Sequence, residues 1–228
     1  LHGLALVLLR FDSLQEAQRQ VVVAWWSAKM LRVLGLQLQV QGSFCPGAKL
    51  VVANHVSWID IMAIHAVCPE ARFVSKADVQ KWPLLNRLVS AGGTLYIERE
   101  KRRDALRVVH QMADALKAGD TVAVFPEGTT GDGRTLLPFH ANLLQAALEA
   151  QAPVQPVGLR FVERATGEIC FYPSYQGDET LVGSVWRTLS CPAIDAVLHF
   201  GPPELAGERD RRAWAQHLHQ VVDALRQG

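Results

Sequence analysis

Val51-Val52-Ala53-Asn54-His55-Val56-Ser57-Trp58-Ile59-Asp60 joins three kinds of text in ten residues. An apolar run over 50–53, short enough for a buried strand, passes directly into Asn-His, and an apolar segment of helical length follows over 58–67. Strand, polar loop and helix in that order form the repeating unit of a parallel sheet. Five steps along one regular helix would set the His55 and Asp60 side chains roughly 140° apart. They pair only if His55 sits in the loop and Asp60 projects back from the helix's first turn. Ser57 is placed to cap that helix. An imidazole held by a carboxylate is the arrangement of a general base, because the acid fixes the tautomer and stabilises the imidazolium that forms. The interval alone is weak: His65 with Glu70 and His199 with Glu204 repeat it without supporting text.

Reading outward, strands and helices continue to alternate. Strands are expected over 72–75, 94–97, 121–125, 154–161 and 196–200, with helices over 79–89, 102–117, 141–150 and 208–226. This order predicts an α/β fold with a mostly parallel central sheet flanked by helices on both faces. Residues 167–192, with Gly177, Gly183 and Pro192, suit a lid, a tunnel wall or an ordinary insertion. Towards the N-terminus, the apolar run over 4–9 ends at Arg10, far short of the ~20 residues of a membrane-spanning helix. From 14 to 36, Leu14, Ala17, Val21, Trp25, Ala28 and Leu31 recur at helical steps. Trp25 and Trp26 beside Lys29 and Arg32 suit a helix lying in a bilayer interface or packed on the domain. We therefore divide the chain into a membrane-associating helical segment over 1–41 and an α/β domain over 42–228.

The composition is that of an ordinary globular protein, with 23 Lys and Arg against 22 Asp and Glu. That balance leaves no basic footprint for nucleic acid, which is not an expected partner. Cys45, Cys68, Cys170 and Cys191 make no C-x-x-C pair and read as reduced thiols of a cytosol-facing protein.

Three further strand ends carry unusual text. Gly92-Gly93-Thr94-Leu95-Tyr96-Ile97-Glu98-Arg99 delivers an arginine where a guanidinium can grip a phosphate with two hydrogen bonds. Phe125-Pro126-Glu127-Gly128-Thr129-Thr130 ends a buried strand in a turn whose glycine admits positive φ and close backbone approach. Gln155-Pro156-Val157-Gly158 places a proline inside a strand, which suggests an edge or an irregular wall.

Asn-His-x-x-x-x-Asp, then Gly-x-x-x-Ile-x-Arg, then Phe-Pro-Glu-Gly-Thr, then a Pro-Val strand resembles the glycerolipid acyltransferase family, of the 1-acyl-glycerol-3-phosphate (lysophosphatidate) type. The likeness spans about 50–158, and Lys76 and Lys81-Trp82-Pro83 also fit it. The resemblance implies that His55 is the general base and Asp60 orients it. Arg99 would grip a phosphate, with Asn54, Ser57 and Lys76 also in the substrate site. Glu127, Gly128, Thr129 and Thr130 would meet the acceptor's polar backbone, and Pro156 would shape the acyl-side wall. The donor implied is acyl-CoA or acyl carrier protein, as co-substrate with no other cofactor and no metal. The acceptor implied is a lysolipid in the cytosolic face of the bacterial inner membrane. Two departures stand out: Glu98 where relatives often have aspartate, and Thr130 where phosphatidate-forming relatives usually have arginine. Arg134 on the same loop can supply that charge, or the acceptor is less anionic, such as lyso-ornithine lipid. Readings of other classes are a metal-dependent hydrolase using His55, Asp60, His65 and Glu127, and a silent lipid-binding protein. Oligomeric state and chain-length preference leave no mark on the text.

Overall fold

The computed structural model describes residues 14–76, 93–97 and 102–228; the expected helix over 79–89 and the Arg99 site lie outside them. Helix α1 (Glu16–Val33) leads into strand β1 (Leu36–Gln41), then β2 (Lys49–Ala53), α2 (Ile59–Val67), β3 (Arg72–Lys76) and β4 (Leu95–Ile97). Helix α3 (Arg102–Lys117), β5 (Thr121–Val124), a 3₁₀ turn (Ala141–Leu144), α4 (Gln145–Ala150) and β6 (Val154–Glu163) follow. The described chain ends with α5 (Leu181–Leu189), β7 (Ile194–Phe200) and α6 (Arg211–Gln227).

One seven-stranded sheet runs in the order β1-β7-β6-β2-β5-β3-β4. Among the described strands only the β6–β7 pair is antiparallel, so five run one way and β7 and β1 the other. Every residue of β2 and β5 is buried, as expected of parallel strands covered on both faces. Successive side chains of β2 supply the two cores. Val51 and Ala53 join Ile59, Ala63 and Ile64 of α2 and Leu31 of α1. Leu50 and Val52 join Met112 of α3 and Trp214, Leu218 and Val222 of α6. This bears out the expected α/β class, and no described helix is long and apolar enough to cross a membrane.

Two expectations need correction. Residues 36–41, assigned above to the helical segment, form β1, paired in register with β7 from Leu36↔Ile194 to Gln41↔His199. Gly35 at φ +82 ends α1 there. The proline strand is not at an edge either: β6 lies between β2 and β7. Pro156 is tolerated because Gln155 replaces its missing donor. Gly201 N–H donates to Pro156 O at 2.9 Å, and the carbonyl of Gly201, which a residue with an N–H would have met in return, accepts from Gln155 Nε2 at 3.0 Å. The open segment over 167–192 pairs Ile169 with Val162 in an isolated bridge and then forms α5.

Candidate functional site

Because β2 pairs directly with β5, from Lys49↔Thr121 to Val52↔Val124, the loops that leave their carboxyl ends lie side by side. These are the Asn54–Asp60 and Phe125–Thr130 stretches. They are joined by one backbone and one side-chain bond: Gly131 N–H, just past the second stretch, donates to His55 O at 2.8 Å, and His55 N–H donates to Glu127 Oε1 at 2.6 Å.

Asp60, in the first turn of α2, turns back into the loop. Its Oδ2 accepts from the amides of Val56 at 2.6 Å and Ser57 at 2.8 Å, and lies 2.9 Å from His55 Nδ1. Two amides already make that oxygen an acceptor, so the ring hydrogen lies on Nδ1 and Nε2 presents its lone pair. Asp60 is fully buried, its Oδ1 has no hydrogen-bond partner among the described residues, and the His55 side chain remains 17% exposed. The imidazole stacks on Phe125 with centroids 3.9 Å apart and planes within 5°. A base held by Asp60 at one nitrogen and by a ring on one face, with the other nitrogen free of Asp60, is built to take a proton.

Several expected substrate contacts have other work here. Asn54 is buried, and its carboxamide extends the β2 ladder by one rung, donating to Leu159 O at 2.8 Å and accepting from Leu159 N at 2.7 Å. Ser57 is buried, its Oγ accepting from Ile59 N at 3.3 Å at the start of α2. Glu127 is buried, with Oε1 on His55 N and Oε2 on Leu137 N at 2.9 Å. Burial pushes its carboxyl pKa up, and the two amides oppose that rise. Glu127 therefore splints the His55 loop to the following turn. Gly128 sits at φ +73, which favours glycine, and a Cβ there would also press on the His140 ring, with Cδ2 at 2.9 Å. Thr129 is exposed, whereas the Thr130 hydroxyl donates to Tyr175 O. Pro156 is buried in β6. Lys76 ends β3, its side chain being outside the described residues, as is Arg99.

Phe125 and Tyr175 had not been singled out. Tyr175 N–H donates to Val56 O at 2.9 Å, tying the 167–192 segment to the loop that holds His55. Nothing in the sequence marks it. Beyond the end of β2, β6 continues beside β7 and borders a cavity of about 260 Å³ walled by Val56, Leu159, Phe161 and Phe171, with Arg134, Arg160 and Arg226 on its lining.

The side chains of the hydrolase reading are not assembled as ligands. His65 Nε2 faces Ala71 O at 2.9 Å, and Glu127 and Asp60 hold amides. Among the described residues, no group of three or more His, Cys, Asp or Glu could hold a metal ion. All four cysteines are free.

Comparison with known proteins gives the same direction at each level. The family model described as Acyltransferase matches residues 37–160. A 1-acyl-sn-glycerol-3-phosphate acyltransferase of Neisseria gonorrhoeae is 35% identical over 193 residues, 84% of this chain and 74% of that protein. A lyso-ornithine lipid O-acyltransferase of Pseudomonas aeruginosa is 37% identical over 204 residues, 90% of this chain and 78% of its own. The crystal structure of PlsC, the 1-acyl-sn-glycerophosphate acyltransferase of Thermotoga maritima, superposes with a TM-score of 0.69 at 20% identity, covering 96% of this chain and 85% of that one. That likeness is one of fold.

Proposed function

Since this chain belongs to the acyltransferase family, we propose that it moves a fatty acyl group from acyl-CoA or acyl carrier protein to the hydroxyl of a lysolipid. Lysophosphatidate is the first candidate acceptor. Lyso-ornithine lipid is the second, favoured by the Pseudomonas relative and by Thr130 in place of an arginine.

The observation that carries the reading is the His55 Nδ1–Asp60 Oδ2 contact of 2.9 Å, beside an Nε2 that Asp60 leaves free. In this mechanism Nε2 takes the proton of the acceptor hydroxyl as its oxygen attacks the thioester carbonyl carbon. The imidazolium is stabilised by Asp60. Collapse of the tetrahedral intermediate breaks the carbon–sulfur bond, and the departing thiolate recovers the proton from Nε2. Ester and free thiol result, with no acyl-enzyme and no metal in the scheme. Glu127 and Gly128 act by holding the loop in place. Arg99 and Lys76 keep their proposed part in gripping the acceptor.

A lipid acceptor calls for work at a bilayer, and we place the chain on its cytosolic face, where the thioester donor is found. Exposed Val21 and Trp25 on α1, with Lys29 Nζ 4.7 Å from the Trp25 ring centroid, and exposed Val182 and Trp186 on α5 support surface attachment.

The deciding experiment measures free thiol release from acyl-CoA, and from acyl carrier protein in parallel, with lysophosphatidate or lyso-ornithine lipid presented in anionic vesicles. Acceptor-dependent release should fall about 10²–10⁴-fold in His55→Ala, and the protein should sediment with the vesicles. Release that needs no acceptor would make it a thioesterase. Full turnover without vesicle binding would remove the attachment.

A further inference from the structure

We propose that the cavity beside β6 is a phosphate-binding subsite, in which Arg134 and Arg160 take a phosphate group while Arg226 holds the rim. Of the eleven residues lining it, three are arginines and none is acidic, so this partly open space favours an anion. The three arginines are not equivalent. Arg226 is neutralised by Asp223 at 2.6 Å, and its remaining donors go to Gly133 O at 3.1 Å and Arg134 O. It therefore fixes the loop that carries Arg134.

Arg134 and Arg160 have no such partner: no carboxylate of the described residues makes an ion pair with either. Arg160 spends one nitrogen on a long 3.5 Å contact to Leu225 O. Arg134 lies over the Phe171 ring, its guanidinium carbon 4.0 Å from the centroid, which orients the plane without using a donor. Asp132 lies close enough for its charge to interact with that of Arg134, but it makes no ion pair with the guanidinium, and its Oδ1 accepts from the amides of Arg134 and Thr135. Two guanidinium groups on the lining of one cavity, with five N–H donors each, thus keep most of them free, and such donors suit the several oxygens of a phosphate.

Position makes the cavity relevant to the reaction. Val56 on its wall directly follows His55, and Gly133 on its lining lies two residues beyond Gly131, which bonds His55 O. At about 260 Å³ the space is below the ~300 Å³ of the smallest drug-sized pockets, the scale of a head group rather than of a whole lipid. Which substrate supplies the phosphate rests on the acyltransferase reading: the acceptor's head group or the phosphates of CoA. The chemistry recognised is the same.

The test joins an equilibrium arm with a kinetic one. Binding of inorganic phosphate to wild type, Arg160→Gln and Arg134→Gln/Arg160→Gln is followed by calorimetry and does not depend on turnover. Saturable binding in wild type, weakened about tenfold or more in the double variant, is the expected result. Equal binding in all three, or none in wild type, overturns the subsite even if the enzyme is active. Conversely, wild type that binds phosphate but releases no thiol would sink the acyltransferase reading alone. In the kinetic arm, the KM of the phosphate-bearing substrate should rise about tenfold in the double variant, with kcat less affected. If that substrate is the acceptor, the gap closes on a 1-acylglycerol lacking phosphate. If it is the donor, the gap closes on an acyl-pantetheine. A loss confined to kcat, with both KM values unchanged, overturns the proposal. Arg134→Gln alone, at an exposed side chain, keeps the test open should the double variant not fold.

Discussion

Helix α2 has a histidine five residues ahead of an acid at each of its ends, and only one of the two makes a pair. At the N-terminal end His55 precedes the helix and Asp60 lies in the first turn, where the amides of Val56 and Ser57, in the loop just ahead of the helix, converge on its Oδ2 beside the ring. At the C-terminal end the leaving chain offers carbonyls instead. His65 therefore turns its Nε2 to Ala71 O at 2.9 Å, packs edge-on to Phe73, and is held neutral by a pKa lowered through burial. The third occurrence fails differently: Glu204 is taken by Trp214 Nε1 at 2.7 Å and His217, and His199 faces Leu225 O. The backbone around each helix end, and not the spacing of two residues, decides which histidine gains a carboxylate partner.

That contrast can be broken by mutation. Asp60→Asn should have the largest effect, lowering kcat about 10³-fold or more, because an amide cannot accept the ring N–H and two backbone N–H groups as a carboxylate does. A retained kcat would detach Asp60 from His55 altogether. Glu127→Gln should come next, roughly tenfold in kcat with KM little changed, since one carboxylate oxygen becomes a donor facing an amide. A loss that falls on acceptor KM would return Glu127 to the substrate. The smallest change is expected from His65→Gln, with activity within about twofold, as for a residue clear of the chemistry. Its signature is in stability. A histidine whose folded pKa lies below the ordinary value of 6.5 contributes stability above that pH, and the contribution is lost as pH falls. Thermal melts from pH 7.5 to 5.5 should therefore fall less steeply in the variant than in wild type. An activity loss matching that of Asp60→Asn would end the distinction between the two helix ends.

Much of the sheet could be read from the residues. The unbroken apolar runs of β2 and β5 and the helical periodicity of α3 and α6 stand where expected. Strand β1 was hidden because it follows α1 after two residues. Its Leu36-Gln37-Leu38-Gln39-Val40-Gln41 alternation, a period of two, was the available signal. Helix α5 was obscured for a different reason: it exposes Val182, Trp186 and Leu189, so its apolar residues do not trace the buried face. At the site, the sequence identified the groups but not their commitments. Asn54 and Glu127 carry polar side chains that look free to meet a ligand, and only the fold brings Leu159, Leu137 and the His55 amide to them. Arg160 and Arg226 stand far apart in the chain and meet only because α6 crosses β6 at Gly158, where a Cβ would come within 2.4 Å of the Arg226 nitrogen.

Gln155 and Pro156 behave as one composite residue: the first lends the hydrogen that the second lacks. Exchanging Pro156 for an amino acid with an N–H would restore an ordinary rung while leaving Gln155 Nε2 in competition for the Gly201 carbonyl. Exchanging Gln155 alone would strand that carbonyl, together with Ser43 O and the Cys45 amide, which the same side chain also serves. The two positions are thus interdependent, and substitutions there should be judged as a pair.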